Sequence, residues 1–254
     1  MLDVKSLRYH TEKDYLVLSI VFGVLYWILL IVLTFGIIIP IVALVALGLW
    51  IFEQFLKAML FGDAIRVSEN QYPELNAIVV DQCRELGMSN APSVFIVNGQ
   101  GMINAMAVRV LSKRYVILLS DLVDLMLARD QIRELAMIIG HELAHHAAGH
   151  LDPKRNLAIA PARFIPFLGT AYSRACEYTC DRIGYALIRD KAAAQRALIA
   201  VALGARTLAS KTNIDAFAAQ EREVPRFFGV LTLIFSTHPR MTLRIRQLEG
   251  FEPK

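Results

Sequence analysis

The sequence predicts an α+β protein in which an N-terminal transmembrane helical hairpin precedes a mainly helical domain with a small antiparallel sheet. Three features lead there. Residues 15–52 contain no Asp, Glu, Lys or Arg. Residues 93–119 break into short apolar runs separated by turn residues. Much of the remaining chain repeats its apolar side chains at helical spacing.

Hydrophobic residues make up 56% of the 254 residues and the mean hydropathy is +0.45, above the roughly 45–50% apolar content of soluble domains. The uncharged stretch carries the excess. A span needs about 20 apolar residues, so the stretch suits two spans better than one. They are expected at about 15–34 and 37–56, with Thr34-Phe35-Gly36 as the turn. Pro40 then falls in the first turn of the second helix, where its missing N–H costs little. A cleaved signal peptide needs a shorter apolar core and a small-residue cleavage site, and neither is evident.

Lys5, Arg8 and Lys13 precede the first span, Lys57 and Arg66 follow the second, and the turn carries no cation. Both ends are therefore expected in the cytoplasm, as for a bacterial inner-membrane protein. A single long tilted helix, the alternative, would put the main domain opposite the N-terminus. The expected division is a cytoplasmic segment at 1–14, the hairpin at 15–57 and one domain at 58–254. Cys83, Cys176 and Cys180 form an odd set without disulfide-framework spacing, which agrees with a reducing compartment. The net charge of +4 favours an anionic membrane surface, but the cations are dispersed and give nucleic-acid binding no support.

Within the domain, Leu75, Ile78, Val79, Cys83 and Leu86 recur at helical spacing from Pro73 to Leu86, and Gly87 is a plausible stop. Ser93–Val97, Met102–Val110 and Tyr115–Leu119 read as strands joined by turns. Asp130 is placed to cap a helix running from Gln131 through His145.

That helix contains His141-Glu142-Leu143-Ala144-His145, an H-E-x-x-H arrangement. On a helix, positions i and i+4 lie about 40° apart around the axis and roughly 6 Å along it, so both imidazoles can reach one ion. Glu142 falls on the adjacent flank, where its carboxylate can take a proton from an attacking water. Met137, Ile138, Ile139, Leu143 and Ala144 give the helix a buried character, and buried imidazoles need partners. A catalytic zinc normally has three protein ligands. The metzincin spacing H-E-x-x-H-x-x-G-x-x-H is not met, because Ala148 and Leu151 occupy the decisive positions and Gly149 and His150 are out of register. A carboxylate on a later helix is the next candidate. Glu177 qualifies, sharing a helix face with Asp181 in Ala171–Arg189.

His141-Glu142-x-x-His145, then Glu177-x-x-x-Asp181, then Ser236-Thr237-His238-Pro239 with Arg244-Ile245 beyond, together resemble the family of membrane gluzincins that includes HtpX and the CAAX prenyl proteases. The resemblance covers about residues 73–248. It implies a zincin-type metallopeptidase domain with one zinc ion, Glu177 as third ligand, and Asp181 orienting a zinc-bound histidine. It also implies that His238 and Arg244 face the site and stabilise substrate or a developing oxyanion. Ile103-Asn104-Ala105-Met106-Ala107 resembles the family's Asn-Ala-Phe-Ala strand, which implies that Asn104, Ala105 and Met106 form an edge where substrate backbone adds. Met106 replaces the usual Phe, and Asp121 stands where many members have Gly. Residues 156–172, where HtpX members place further membrane helices, are short and interrupted by Pro161, Arg163 and Pro166. A loop or interfacial segment is expected there.

His146 and His150 read as helix-end residues, Cys176 and Cys180 as core, and Arg240 and Arg246 as solvated. The expected activity is membrane-anchored, zinc-dependent endoproteolysis of protein or peptide substrates at the bilayer, in membrane-protein quality control. The alternative is a non-catalytic zinc-binding membrane scaffold, for which Glu142 has no use. A prenyl-processing enzyme would need a chamber that one hairpin cannot enclose. Charged Arg129, Asp130, Arg133 and Glu134 argue against burying the motif within a span.

Overall fold

The computed structural model describes residues 1–127, 131–204, 208 and 211–253. The expected cap Asp130 lies outside them. The chain begins with a short helix α1 (Val4–Leu7) and two long apolar helices, α2 (Glu12–Leu33) and α3 (Ile38–Asp63). The main body follows as β1 (Ile65–Arg66), α4 (Pro73–Glu85), β2 (Ser93–Val97), β3 (Ala105–Arg109), β4 (Arg114–Leu119), α5 (Ser120–Leu127) and α6 (Ile132–Ala147). Then come α7 (Pro153–Ile159), a 3-10 helix (Pro161–Phe164), α8 (Leu168–Ile188), α9 (Lys191–Leu203), α10 (Ile214–Ala219), α11 (Arg226–Phe235) and α12 (Met241–Glu249).

α2 and α3 meet at the expected turn, where the Gly36 amide bonds the Ile31 carbonyl at 2.9 Å. Pro40 sits in the first turn of α3. Both helices are long and apolar enough to cross a bilayer, and most of their side chains are exposed. So large an apolar surface suits lipid better than water. Each helix is nevertheless fastened to the domain through a few buried positions. α2 rests on α7, the 3-10 helix and α8, burying Glu12 and Ser19. Trp27 donates its indole N–H to the Leu157 carbonyl at 2.8 Å. α3 runs past its apolar stretch and lays Leu56 and Leu60 against Phe95, Tyr115 and Ile117 of the sheet. Its Glu53 carboxylate accepts from the Leu111 amide at 2.7 Å and from both the amide and hydroxyl of Ser112.

Residues 1–14 pack onto the domain: the Leu2 amide bonds the Glu85 carbonyl at 2.7 Å, Leu7 is buried, and the Tyr9 amide bonds the Thr179 hydroxyl at 2.8 Å.

The sheet is small, as expected, but mixed. Its order is β1-β2-β4-β3, with β1–β2 and β3–β4 antiparallel and β2–β4 parallel. The turn at 98–104 does not close a hairpin; it carries the chain past the position that β4 later fills. β3 then serves as part of the long crossover that parallel neighbours require, and it ends as an edge strand. Residues 156–172 also differ from the expected loop. Pro153 at the first helical position and Asp152, which caps the Arg155 amide at 3.0 Å, start α7, and most of the segment is helical.

α6 and α8 form the centre of the core. A Cβ on Gly184 of α8 would stand 2.9 Å from the Met137 carbonyl oxygen and 3.3 Å from the His141 amide nitrogen of α6. The backbones therefore cross too closely for a side chain at that point, and backbone atoms cannot yield cheaply. Gly184→Ala should destabilise the folded chain by about 1–3 kcal/mol and lower its thermal midpoint by several degrees. Thermal unfolding of the detergent-solubilised chain checks this, and an unchanged midpoint would contradict the close crossing.

Candidate metal centre

α6 presents His141, Glu142 and His145 to a cleft of about 400 Å³. Its other walls include Asn104 just before β3 and Ala105, Met106 and Ala107 on it, Glu177 from α8, Leu198 and Val201 from α9, and His238 and Arg244 from the C-terminal region. Every residue nominated from sequence, Asp181 excepted, thus lines one cleft. Asp181 lies fully buried directly behind it.

Glu177 and Asp181 stand one turn apart on α8 and meet His141 from opposite sides of its ring, while Glu177 also reaches His145. Nε2 of His141 lies 3.5 Å from one Glu177 oxygen, and Nε2 of His145 lies 3.4 Å from the other. Donors held about 2.0–2.1 Å from a tetrahedral ion stand roughly 3.3 Å apart. These spacings fit a site in which both imidazoles and Glu177 share one cation. Cys180 also lies near both imidazoles. It is fully buried and touches His150 Nδ1 at 3.5 Å, which places it behind the rings, whereas Glu177 borders the cleft.

Asp181 accepts from Nδ1 of His141 at 3.0 Å, leaving Nε2 of that ring for the cleft. Such a partner fixes the tautomer and strengthens ligation. Arg244, from α12, is buried and grips Asp181 with Nε at 2.7 Å and Nη2 at 2.6 Å, while Nη1 lies 3.6 Å from Glu177. Its guanidinium is therefore largely committed to holding two carboxylates. His238 is 68% exposed at the mouth, with Nε2 3.7 Å from Glu177. Thr237 bonds its Nδ1 at 3.0 Å.

Burial works against a charged His141, but hydrogen bonds and charges from Asp181 and Glu177 outweigh it and push its pKa up to about 10. Burial likewise opposes ionisation of Glu177, yet His141, His145 and Arg244 hold its carboxyl well below the usual range. Asp181 is lowered against its own burial, chiefly by Arg244. His146 and His150 behave oppositely: burial pushes both down to about 4, despite bonds to the Tyr115 carbonyl and to Glu12 respectively.

Residues 69–160 and 154–252 match the sequence profile of peptidase family M48. The chain belongs to that family. M48 members are metal-dependent peptidases, and the cleft is where this M48 chain gathers side chains that could hold a metal. It is 25% identical over 219 residues to the plastoglobule-localized metallopeptidase 48, chloroplastic, of Arabidopsis thaliana. That match covers 78% of this chain and 62% of the relative's length. No solved structure matches the chain.

Sequence reasoning did not find the apolar wall from α9 or the groups behind His145. Leu198 and Val201 carry no motif, and the contacts of His150 depend on where Glu12 folds in three dimensions.

Two outcomes follow from this arrangement. Asp181→Asn leaves the buried Arg244 guanidinium without its main counter-charge, a change that costs about 3–5 kcal/mol. Denaturant unfolding should show that loss, and the double variant Asp181→Asn/Arg244→Met should recover part of it. In chelator-treated protein, the histidines also predict a stability maximum near pH 6.5. His146 and His150 have depressed pKa values, so their contribution is present above 6.5 and is lost as pH falls toward 4. His141 is raised, so its contribution is present below 6.5 and is lost as pH rises toward 10. Thermal midpoints recorded from pH 4 to 10 check both limbs.

Proposed function

We propose that this chain is a membrane-anchored, zinc-dependent endopeptidase whose metal is held by His141, His145 and Glu177. The observation that carries the reading is the convergence of both histidine Nε2 atoms on one carboxylate, at 3.5 and 3.4 Å, with Glu142 in the same cleft. Two neutral imidazoles and a carboxylate suit zinc and leave a position open. When bound, zinc supplies Lewis-acid polarisation of the scissile carbonyl and of water.

The chain's own groups carry the remaining work. Glu142 takes the proton from the attacking water and later delivers it to the leaving amine nitrogen. His238, at the mouth, is placed to donate an N–H toward oxygen that gains charge during attack. Arg244 fixes Glu177 and Asp181 so that the histidines keep their geometry. β3 has a free edge beside the cleft, and an extended substrate can pair with it through main-chain bonds around Asn104, Ala105 and Met106. Such pairing reads backbone more than sequence and so favours unfolded protein segments.

Glu12 at the start of α2 and Glu53 within α3 are buried where these helices meet the peptidase body. This supports a two-span anchor with the N-terminus and the domain on one side, the cytoplasmic side by the distribution of cations. Substrates are then protein segments at or near the bilayer of a bacterial inner membrane. A role in membrane-protein quality control rests on family analogy.

Cleavage of an unfolded test protein by the zinc-loaded, detergent-solubilised chain, with Glu142→Gln beside it, tests the reading. The variant should keep its zinc and lose about 10²–10⁴-fold in rate. A zinc-loaded wild-type chain that cleaves nothing would favour the scaffold alternative, and equal cleavage by both forms would remove Glu142 from the mechanism.

A further inference from the structure

The two candidate histidine ligands are backed differently. His141 has Asp181 directly behind it, whereas Nδ1 of His145 faces Nδ1 of His150 at 3.2 Å. Nε2 of His150 in turn lies 3.2 Å from Glu12 of the first apolar helix. The end of α6 places that ring. Gly149 turns into the left-handed region at φ 74°, and the amides of Gly149 and His150 close on the carbonyls of His146 and His145 at 3.2 and 3.0 Å. This double bond pattern ends the helix and folds His150 back under His145.

Polarity along the chain of bonds is fixed from its far end. The Glu12 carboxylate is fully buried, pairs with Arg8 and accepts the Thr179 hydroxyl, so it serves as an acceptor. His150 must then donate through Nε2, which leaves a lone pair on Nδ1. His145 donates its Nδ1 proton to that lone pair, and its own Nε2 lone pair points toward Glu177 and the cleft.

We propose that Glu12 and His150 are positioning residues for the metal site, a relay from the membrane anchor that sets the tautomer and orientation of His145. The inference rests on the zinc reading above and extends it to a residue outside the peptidase domain. Glu12, His150 and Cys176 also gather donors of metal-ligand type, but the Arg8 guanidinium already occupies the Glu12 oxygen that faces His150. A cation there would be repelled at close range.

The test measures zinc affinity and zinc content of the full chain in detergent by competition with a chromophoric chelator. Glu12→Gln, His150→Phe and their double variant are compared with Leu75→Ala, a core truncation that controls for general destabilisation. Each single variant should bind zinc about 10–100-fold more weakly, the double no worse than the weaker single, and Leu75→Ala like wild type. Folded variants with wild-type affinity overturn the relay alone. A wild-type chain that takes up no zinc overturns the metal reading with it. Two zinc ions per chain, one removed by Cys176→Ser, would make the buried cluster a second metal site instead. If the variants do not fold, ¹⁵N-histidine spectra of the wild-type chain decide. His150 should be the Nε2–H tautomer and His145 the Nδ1–H tautomer, and the reverse on His150 overturns the relay.

Discussion

Where α6 crosses α8 at Gly184, two helices that carry charged and polar side chains on their facing surfaces are brought to backbone contact. That proximity forces Glu177 and Asp181 into the space around His141 and His145, where water cannot solvate them. Buried carboxylates must then be satisfied by the protein itself, and the surrounding architecture meets that need. The imidazoles take one side of each carboxylate, and Arg244 from α12 takes another. The C-terminal helix is therefore part of the electrostatic closure of the site, although it lies far from the H-E-x-x-H motif in sequence.

The same demand explains the division of roles among the titratable groups. Charges that face one another across the α6–α8 seam hold each other ionised, whereas His146 and His150, buried at the end of α6, are kept neutral. A neutral imidazole can donate from one nitrogen while accepting at the other, which suits His150 to link two groups. A cation bound between His141, His145 and Glu177 would take the place of a proton that His141 otherwise holds tightly, so loading is coupled to proton release.

Much of this was legible in the sequence because it is local. Helical spacing brought His141 and His145 to one face, and four-residue spacing joined Glu177 to Asp181. The uncharged run at 15–52 announced two apolar helices, and Pro40 fell where a helix start tolerates it. His238, Arg244 and the β3 edge came from the family resemblance, because no local rule links them to α6. The mixed sheet was missed for a definable reason. Turn chemistry around Asn98-Gly99-Gln100-Gly101 suggests a hairpin but does not reveal that the chain overshoots to leave room for β4. Pro161 and Pro166 argue for a loop across residues 156–172, whereas Pro153 with Asp152 is a good helix start and carries α7 into that segment. The burial of Glu12 and Glu53 depends on tertiary docking that sequence patterns do not encode.

The grip of Glu53 on Leu111 and Ser112 acts as a ruler. Glu53 directly follows the uncharged run, so under the proposed two-span anchor the turn between β3 and β4 would be pinned at the boundary between lipid and water. The five residues of β3 beyond that turn cover about 17 Å. The strand that borders the cleft therefore extends a set distance from its pinned end. That end is fixed to α3 by a buried carboxylate and does not depend on a flexible tether. Under the proposed function, a polypeptide that aligns along β3 would be measured against the membrane surface by its reach before any of its side chains is read.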